Sequence, residues 1–229
     1  MTPNHPLDRA VWNALTTVQA PLAIAEGGLL RFDPAHALFA AARPGASADE
    51  TDWAGLARRT GPVALFETDP VVPPGLTVVE RIDCQQMTCT SLTAGGRSLE
   101  FEPLTDTDGP EMLALATLTR PGPFLAKTHR LGPFIGIRDQ GRLVAMAGER
   151  LNLDGFGEVS GVCTHPDYRG RGYAGALMRV VTRRILERGD TAFLHARIGH
   201  EATIAFYETL GFRRRTTPSY LVMEAATGV

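Results

Sequence analysis

The sequence predicts an α/β (α+β) protein: a mixed, mostly antiparallel sheet flanked by helices, with a smaller N-terminal α/β domain before it. Three observations predict this. The chain has 229 residues, 44% of them apolar and 21% charged. That is the mix of an ordinary globular protein, and a chain this long buries enough surface to fold without staples. The second half alternates strand-like runs with amphipathic helical runs. The character of the chain also changes near residue 95, and its length divides into 1–97 and 98–229.

The first part is rich in Ala and Pro and is punctuated by Pro44-Gly45, Pro73-Pro74-Gly75 and Gly95-Gly96. Arg9 to Val18 and Thr51 to Arg59 read as helices, Val63 to Phe66 and Leu76 to Ile82 as strands. The second part has sharper signals. Leu99 to Phe101 reads as a short strand. Asp108 is an expected helix N-cap, with Glu111 as its capping-box partner and Pro110 in the first turn. That helix runs to about Leu118 and is broken by Pro121-Gly122-Pro123, and Phe124 to Arg130 reads as a helical turn. Phe134 to Arg138 and Arg142 to Leu153 form a hairpin around Asp139-Gln140-Gly141, and Gly157 to His165 completes a three-strand meander. A helix from Tyr173 to Arg188 follows, with Leu177, Val181 and Ile185 as its apolar stripe. Then come a strand (Ala192 to Ala196), a helix (Glu201 to Leu210) capped by Gly211, and a last strand region to Met223.

Composition excludes several function classes. There are 23 Lys+Arg against 25 Asp+Glu, a formal net charge of −2. Nothing there draws the chain to nucleic acid or to an anionic membrane. The three cysteines are too few for a disulfide framework. Cys84-x4-Cys89 lacks a second Cys/His pair at ligand spacing, so no metal is expected. Met1 to Ala20 carries Asp8 and Arg9 and does not read as a signal peptide, and no run approaches the roughly 18 apolar residues of a membrane span. The expected address is the cytoplasm.

The chemistry concentrates in Val162 to Gly175. A strand ends, Gly170, Gly172 and Gly175 follow, and a helix begins at once. Glycines let peptide N–H groups approach a ligand, and a helix start supplies unpaired N–H groups with partial positive charge. Together they form a phosphate cradle, to which Arg169 and Arg171 add charge. The plainer reading is a tight turn with solvated arginines. Gly170-x-Gly172-x-x-Gly175 also matches the dinucleotide fingerprint in form. About five residues separate the strand end from Gly170, however, and Asp190 precedes the next strand instead of ending it, so the βαβ context of that motif is missing.

Arg169-x-x-Gly172-x-Ala174 resembles the Q/R-x-x-G-x-G/A motif of the GNAT N-acetyltransferase superfamily, and Ala205 to Phe212 (AFYETLGF) resembles that family's "LYEKLGF" segment. The resemblance spans roughly residues 98–224 and is closest to bacterial acetyltransferases with an extra N-terminal domain. It implies an acyl-CoA-dependent N-acyltransferase, acetyl-CoA as the donor, and direct transfer to a bound primary amine. It also suggests that residues 1–97 are a degenerate second copy of the fold. The backbone of Val162, Cys163 and Thr164 would pair with the pantetheine arm like an added strand and polarise the thioester carbonyl. The amides of Gly170, Arg171, Gly172, Tyr173, Ala174 and Gly175, beside Arg169, would hold the pyrophosphate. Tyr207 matches the family's general acid. Glu158, eleven residues before Arg169, stands where some members place a general base. Glu149, His195 and His200 are rival bases, and His200 also stands where many members carry a CoA-contacting Asn. Cys163 reads as a buried strand thiol and not as a nucleophile. A non-catalytic acyl-CoA sensor is the alternative. The acceptor stays unread, and the N-terminal part either shapes its pocket or mediates a homodimer.

Overall fold

The structure, a computed structural model, describes residues 5–47 and 51–226. A three-stranded antiparallel sheet comes first: β1 (Ile24–Glu26), β2 (Leu29–Arg31) and β3 (Ala40–Ala42). It is preceded by α1 (Ala10–Thr16) and followed by α2 (Trp53–Thr60). The sequence reading had no strand among these residues, because three-residue strands are too short to show a period-two pattern.

The main sheet has nine strands among the described residues. They are β4 (Val63–Glu67), β5 (Leu76–Cys89), β6 (Glu102–Leu104), β7 (Phe134–Asp139), β8 (Arg142–Leu153), β9 (Phe156–Thr164), β10 (Thr191–Arg197), β11 (Arg213–Thr216) and β12 (Ser219–Ala225). In space the order is β4-β12-β5-β10-β9-β8-β7-β6, with β11 paired to β5. Every pairing is antiparallel except β9 with β10. The expected boundary at residue 97 falls in the segment joining β5 to β6, and β4 and β5, which precede it, lie in the same sheet as strands that follow it.

Helices cover both faces. On one lie α4 (Tyr173–Glu187) and α5 (Glu201–Leu210), whose Leu177, Val181, Ile185, Ile204 and Leu210 pack with Val144, Val159 and Leu194. On the other lie α1 and α3 (Gly109–Thr119); Met112 and Leu115 of α3 pack against Phe134, Met146 and Cys163. The expected stripe of α4 is thus wholly buried.

Four local expectations change. β5 runs seven residues past Ile82, because its polar Gln86 is buried and hydrogen-bonded, not solvated. Leu99 to Phe101 is not a strand; the edge strand is β6. Asp108 does not cap α3 with its side chain; it closes a capping box with Thr105 one turn earlier, while Glu111 pairs with Arg138. The last strand region splits into β11 and β12 around Thr217-Pro218, since proline has no N–H for the ladder.

Candidate active site

β9 and β10 pair at only three positions: Phe156 with Thr191, Gly157 with Ala192 and Glu158 with Phe193. Beyond that point β9 continues to Thr164 and β10 to Arg197 with no ladder between them. The sheet is therefore split by a wedge-shaped gap, closed at Glu158 and open at Thr164. Along this stretch the edge of β9 facing β10 has no ladder partner among the described residues, as an added extended ligand requires.

β9 is also bulged. Met146 pairs with Cys163 and Gly148 with Ser160, so β9 carries one extra residue there. Gly161 takes it up with φ +62°, and a Cβ at that position would lie 2.7 Å from the Phe134 ring. Bulges re-aim strand groups beside active sites.

At the open end the chain turns sharply. A short 3-10 turn, Pro166–Tyr168, is capped by His165, whose Nδ1 accepts from the Asp167 amide at 3.3 Å. The Tyr168 hydroxyl donates to Asp139 at 2.7 Å, and Arg171 stacks on the Tyr168 ring at 4.6 Å. Gly170 and Gly172 have φ of +77° and +81°. This left-handed geometry favours glycine. Helix α4 has no side-chain cap, and its first internal bond is from the Ala176 amide to the Gly172 carbonyl. Among the described residues, the amides of Gly170, Arg171, Gly172, Tyr173, Ala174 and Gly175 therefore have no acceptor, and neither does the Arg169 guanidinium. Six consecutive open amides at a helix start carry partial positive charge and unmet hydrogen-bonding capacity. Gly175 has a separate reason: a Cβ there would meet the Phe206 ring at 3.3 Å, so glycine lets α4 and α5 close together.

Tyr207 lies on α5, packed at the edge of the same cluster as Val162 and Tyr173, with its ring 6.3 Å from Phe212. Burial pushes its phenol above the usual value, so it is protonated at neutral pH. Its hydroxyl has no partner among the described residues. His200 is exposed at the start of α5 and bonds no backbone amide with its side chain.

Glu158 and His195, expected as rival bases, are hydrogen-bonded to each other at the closed end of the gap. Glu158 Oε1 accepts from Arg150 Nη2 at 2.6 Å and from His195 Nδ1 at 2.7 Å. Oε2 accepts from Arg150 Nε at 2.9 Å and from the Leu151 amide at 3.3 Å. All four acceptor positions are filled. Burial alone would raise the Glu158 pKa, but the Arg150 charge and these hydrogen bonds outweigh it and bring it to about 2. Such a carboxylate is a weak proton acceptor with no lone pair left for an amine or a water. In this arrangement the expected base role lacks a physical basis. His195 is no freer. Gln86 Oε1 accepts from Arg215, which fixes its amide so that Nε2 donates both to the Leu7 carbonyl at 3.1 Å and to His195 Nε2 at 3.0 Å. His195 is therefore neutral with its proton on Nδ1, and burial lowers its pKa against the upward pull of Glu158. Arg215 also reaches Asp8, tying the N-terminal segment into this network. Glu149 is likewise engaged, by both Nη atoms of Arg188 at 2.9 Å.

The three thiols are buried, and burial pushes Cys163 up to about 11, as suits a core residue. No cluster of three or more potential metal ligands occurs among the described residues, and no helix there is long and apolar enough to cross a membrane. Arg150 and Gln86 were not legible as site neighbours, since they lie eight residues and a whole domain length from Glu158 in sequence.

The sequence model of the FR47-like protein family matches residues 134–221. No curated relative matches the sequence. Among solved structures, an acetyltransferase of the GNAT family from Novosphingobium aromaticivorans is 42% identical, with a TM-score of 0.87 over 98% of this chain and 100% of its own. A GCN5-related N-acetyltransferase from Kribbella flavida is 20% identical, with a TM-score of 0.64 over 97% of this chain and 96% of its own, and so shares the fold. The split between β9 and β10, the uncapped α4 and a likeness that runs the whole length of the chain lead to one conclusion: the protein belongs to the GNAT family of acetyltransferases.

Proposed function

We propose that the protein is an acyl-CoA-dependent N-acyltransferase that moves an acetyl group from acetyl-CoA directly to a bound amine. The observation that carries this reading is the run of six unpaired amides, Gly170 to Gly175, at the open end of a gap whose strand edge is also unpaired. The residues fit the donor: open N–H groups for a diphosphate, a free strand edge for an extended arm, and an unpartnered phenol nearby. Acetyl-CoA supplies the activated thioester; the rest of the work falls to the chain.

The amides and Arg169 bind and orient the charged end. The β9 edge around Val162 to Thr164, next to the Gly161 bulge, aligns the arm, and a peptide N–H of that edge polarises the reacting carbonyl. Tyr207 holds a proton for the departing sulfur. Its raised pKa keeps that proton in place until a thiolate develops. Glu158, saturated by Arg150 and His195, has the role of holding the closed end of the gap in place, and the amine's proton leaves to water.

The test is acetyl-CoA turnover against a panel of primary amines, reading free thiol. Thiol release with at least one amine, at a rate rising with pH toward that amine's pKa, supports the reading. Tight acetyl-CoA binding with no release across amines, amino acids and peptide N-termini overturns it in favour of a sensor.

A further inference from the structure

The chain must travel from β5, third in the sheet order, to β6 at the far edge. Residues 90–101 make this crossing on the outside of α4. The segment is pinned at three points. The Thr93 amide donates to the Leu210 carbonyl at 3.0 Å. Arg179 of α4 donates to the Thr93 carbonyl. Arg97 donates to the Arg171 carbonyl at 3.2 Å, inside the loop proposed above to bind the diphosphate. Gly96, with φ +96°, lets the segment lie against Arg179, whose Cδ would be 2.6 Å from a Cβ at that position.

Between this segment and α4 lies a cavity of about 430 Å3. Leu99 and Val180 give it apolar walls, and Phe101, with Arg184 stacked on it at 5.6 Å, offers an aromatic face. Arg97, Arg179 and Arg183 also line it. Arg179 and Arg183 are one turn apart and so share a face of α4. Arg183 has no partner among the described residues. Glu187, one turn beyond Arg183 on α4, also lines it. Four arginines around a partly apolar slot stand out in a chain of net charge −2. Arg179 lies only about 9 Å along the helix from Tyr173, at a rise of ~1.5 Å per residue.

We infer that this groove, roofed by residues 95–101, takes the 3′-phosphorylated adenosine end of coenzyme A, with Arg97 and Arg183 holding the 3′-phosphate. The inference rests on the coenzyme reading above and adds that the crossing segment is part of the binding site. The chemistry matches: a flat apolar base meets apolar and aromatic walls, and a dianionic phosphate meets guanidinium groups. The groove adjoins the open amides, and in coenzyme A the two phosphate groups are separated only by a ribose.

Calorimetric titration of coenzyme A and of 3′-dephospho-coenzyme A tests this without any turnover. The wild-type protein should prefer coenzyme A by about tenfold or more, a difference of about 1.4 kcal/mol. Arg183→Gln, which breaks no hydrogen bond or ion pair among the described residues, and Arg97→Gln should each shrink that preference to within about threefold, the same free-energy scale setting the threshold. Affinity for the dephospho form should change little in Arg183→Gln, and unchanged melting of the unliganded variants would show that they fold. Equal wild-type affinity for the two ligands, or a preference that survives both substitutions, overturns the inference and leaves the coenzyme reading intact. Failure of the wild-type protein to bind either ligand removes both.

Discussion

The two ends of β9 are chemical opposites. At its start, Glu158 is buried with every acceptor position filled, by Arg150, His195 and the Leu151 amide. Past its end, six successive amides and the Arg169 guanidinium have no acceptor among the described residues. Folded chains pair their polar groups wherever water is excluded. A saturated cluster is therefore architecture, and a run of unpaired donors at an exposed helix start is a place for a ligand. Charge alone does not separate the two, since both ends hold arginines and strand residues. What separates them is whether the partners are already inside the protein.

The largest effect that would break this comparison is on stability. Glu158→Ala leaves the Arg150 guanidinium buried and uncompensated, and should cost about 3–5 kcal/mol in chemical denaturation. Coenzyme A affinity of the fraction that remains folded should stay within a few-fold. A mild loss of stability with a large loss of binding would reverse the roles assigned to the two ends. The same cluster sets the acid response. The folded pKa of Glu158, about 2, lies below its ordinary value of 4.5, so its stabilisation is complete above pH 4.5 and is lost as pH falls toward 2. His195 is held neutral with a pKa below 6.5, so the unfolded chain takes up its proton first and stability already declines below that pH. Urea unfolding across pH 3–8 should show both declines in wild type; a flat profile would contradict the assignment.

Tyr207→Phe comes next. Its hydroxyl has no partner among the described residues, so stability and acetyl-CoA affinity should barely change, while kcat should fall by about 100-fold, the low end for loss of a general acid. Gly172→Ala is the smallest and sharpens the comparison from the other side. The new methyl group has room, its nearest neighbour being Arg97 Cδ at 3.7 Å, but φ of +81° costs an L-residue about 1–2 kcal/mol. Melting should drop modestly, and coenzyme A affinity should drop with it as the loop relaxes.

Much of this molecule was legible in its sequence, and what was not has physical reasons. The meander, α4, α5 and the glycine loop follow from local pattern: period-two runs, a Leu177-Val181-Ile185 stripe, and glycines where the backbone is left-handed. β5 continues past Ile82 because Gln86 bonds Leu7 and His195 across the core, partners that no local pattern reveals. Glu158 stands where some family members place a base, and a carboxylate on an inner strand is costly unless it is used or paired. Its partner Arg150 comes from the neighbouring strand, and a single sequence does not announce cross-strand pairs. The crossing of residues 90–101 over α4 was hidden for the same reason: it follows from sheet order and has no local signature.

The central claim concerns which peptide nitrogens meet the ligand. Backbone amide NMR during titration with coenzyme A reads those nitrogens one by one. The account predicts the largest shifts at Gly170 to Gly175, with a second set along Val159 to Thr164, and little change at Leu151 beside Glu158. Unmoved loop amides under saturating ligand, or shifts centred on the Glu158 cluster, would contradict it.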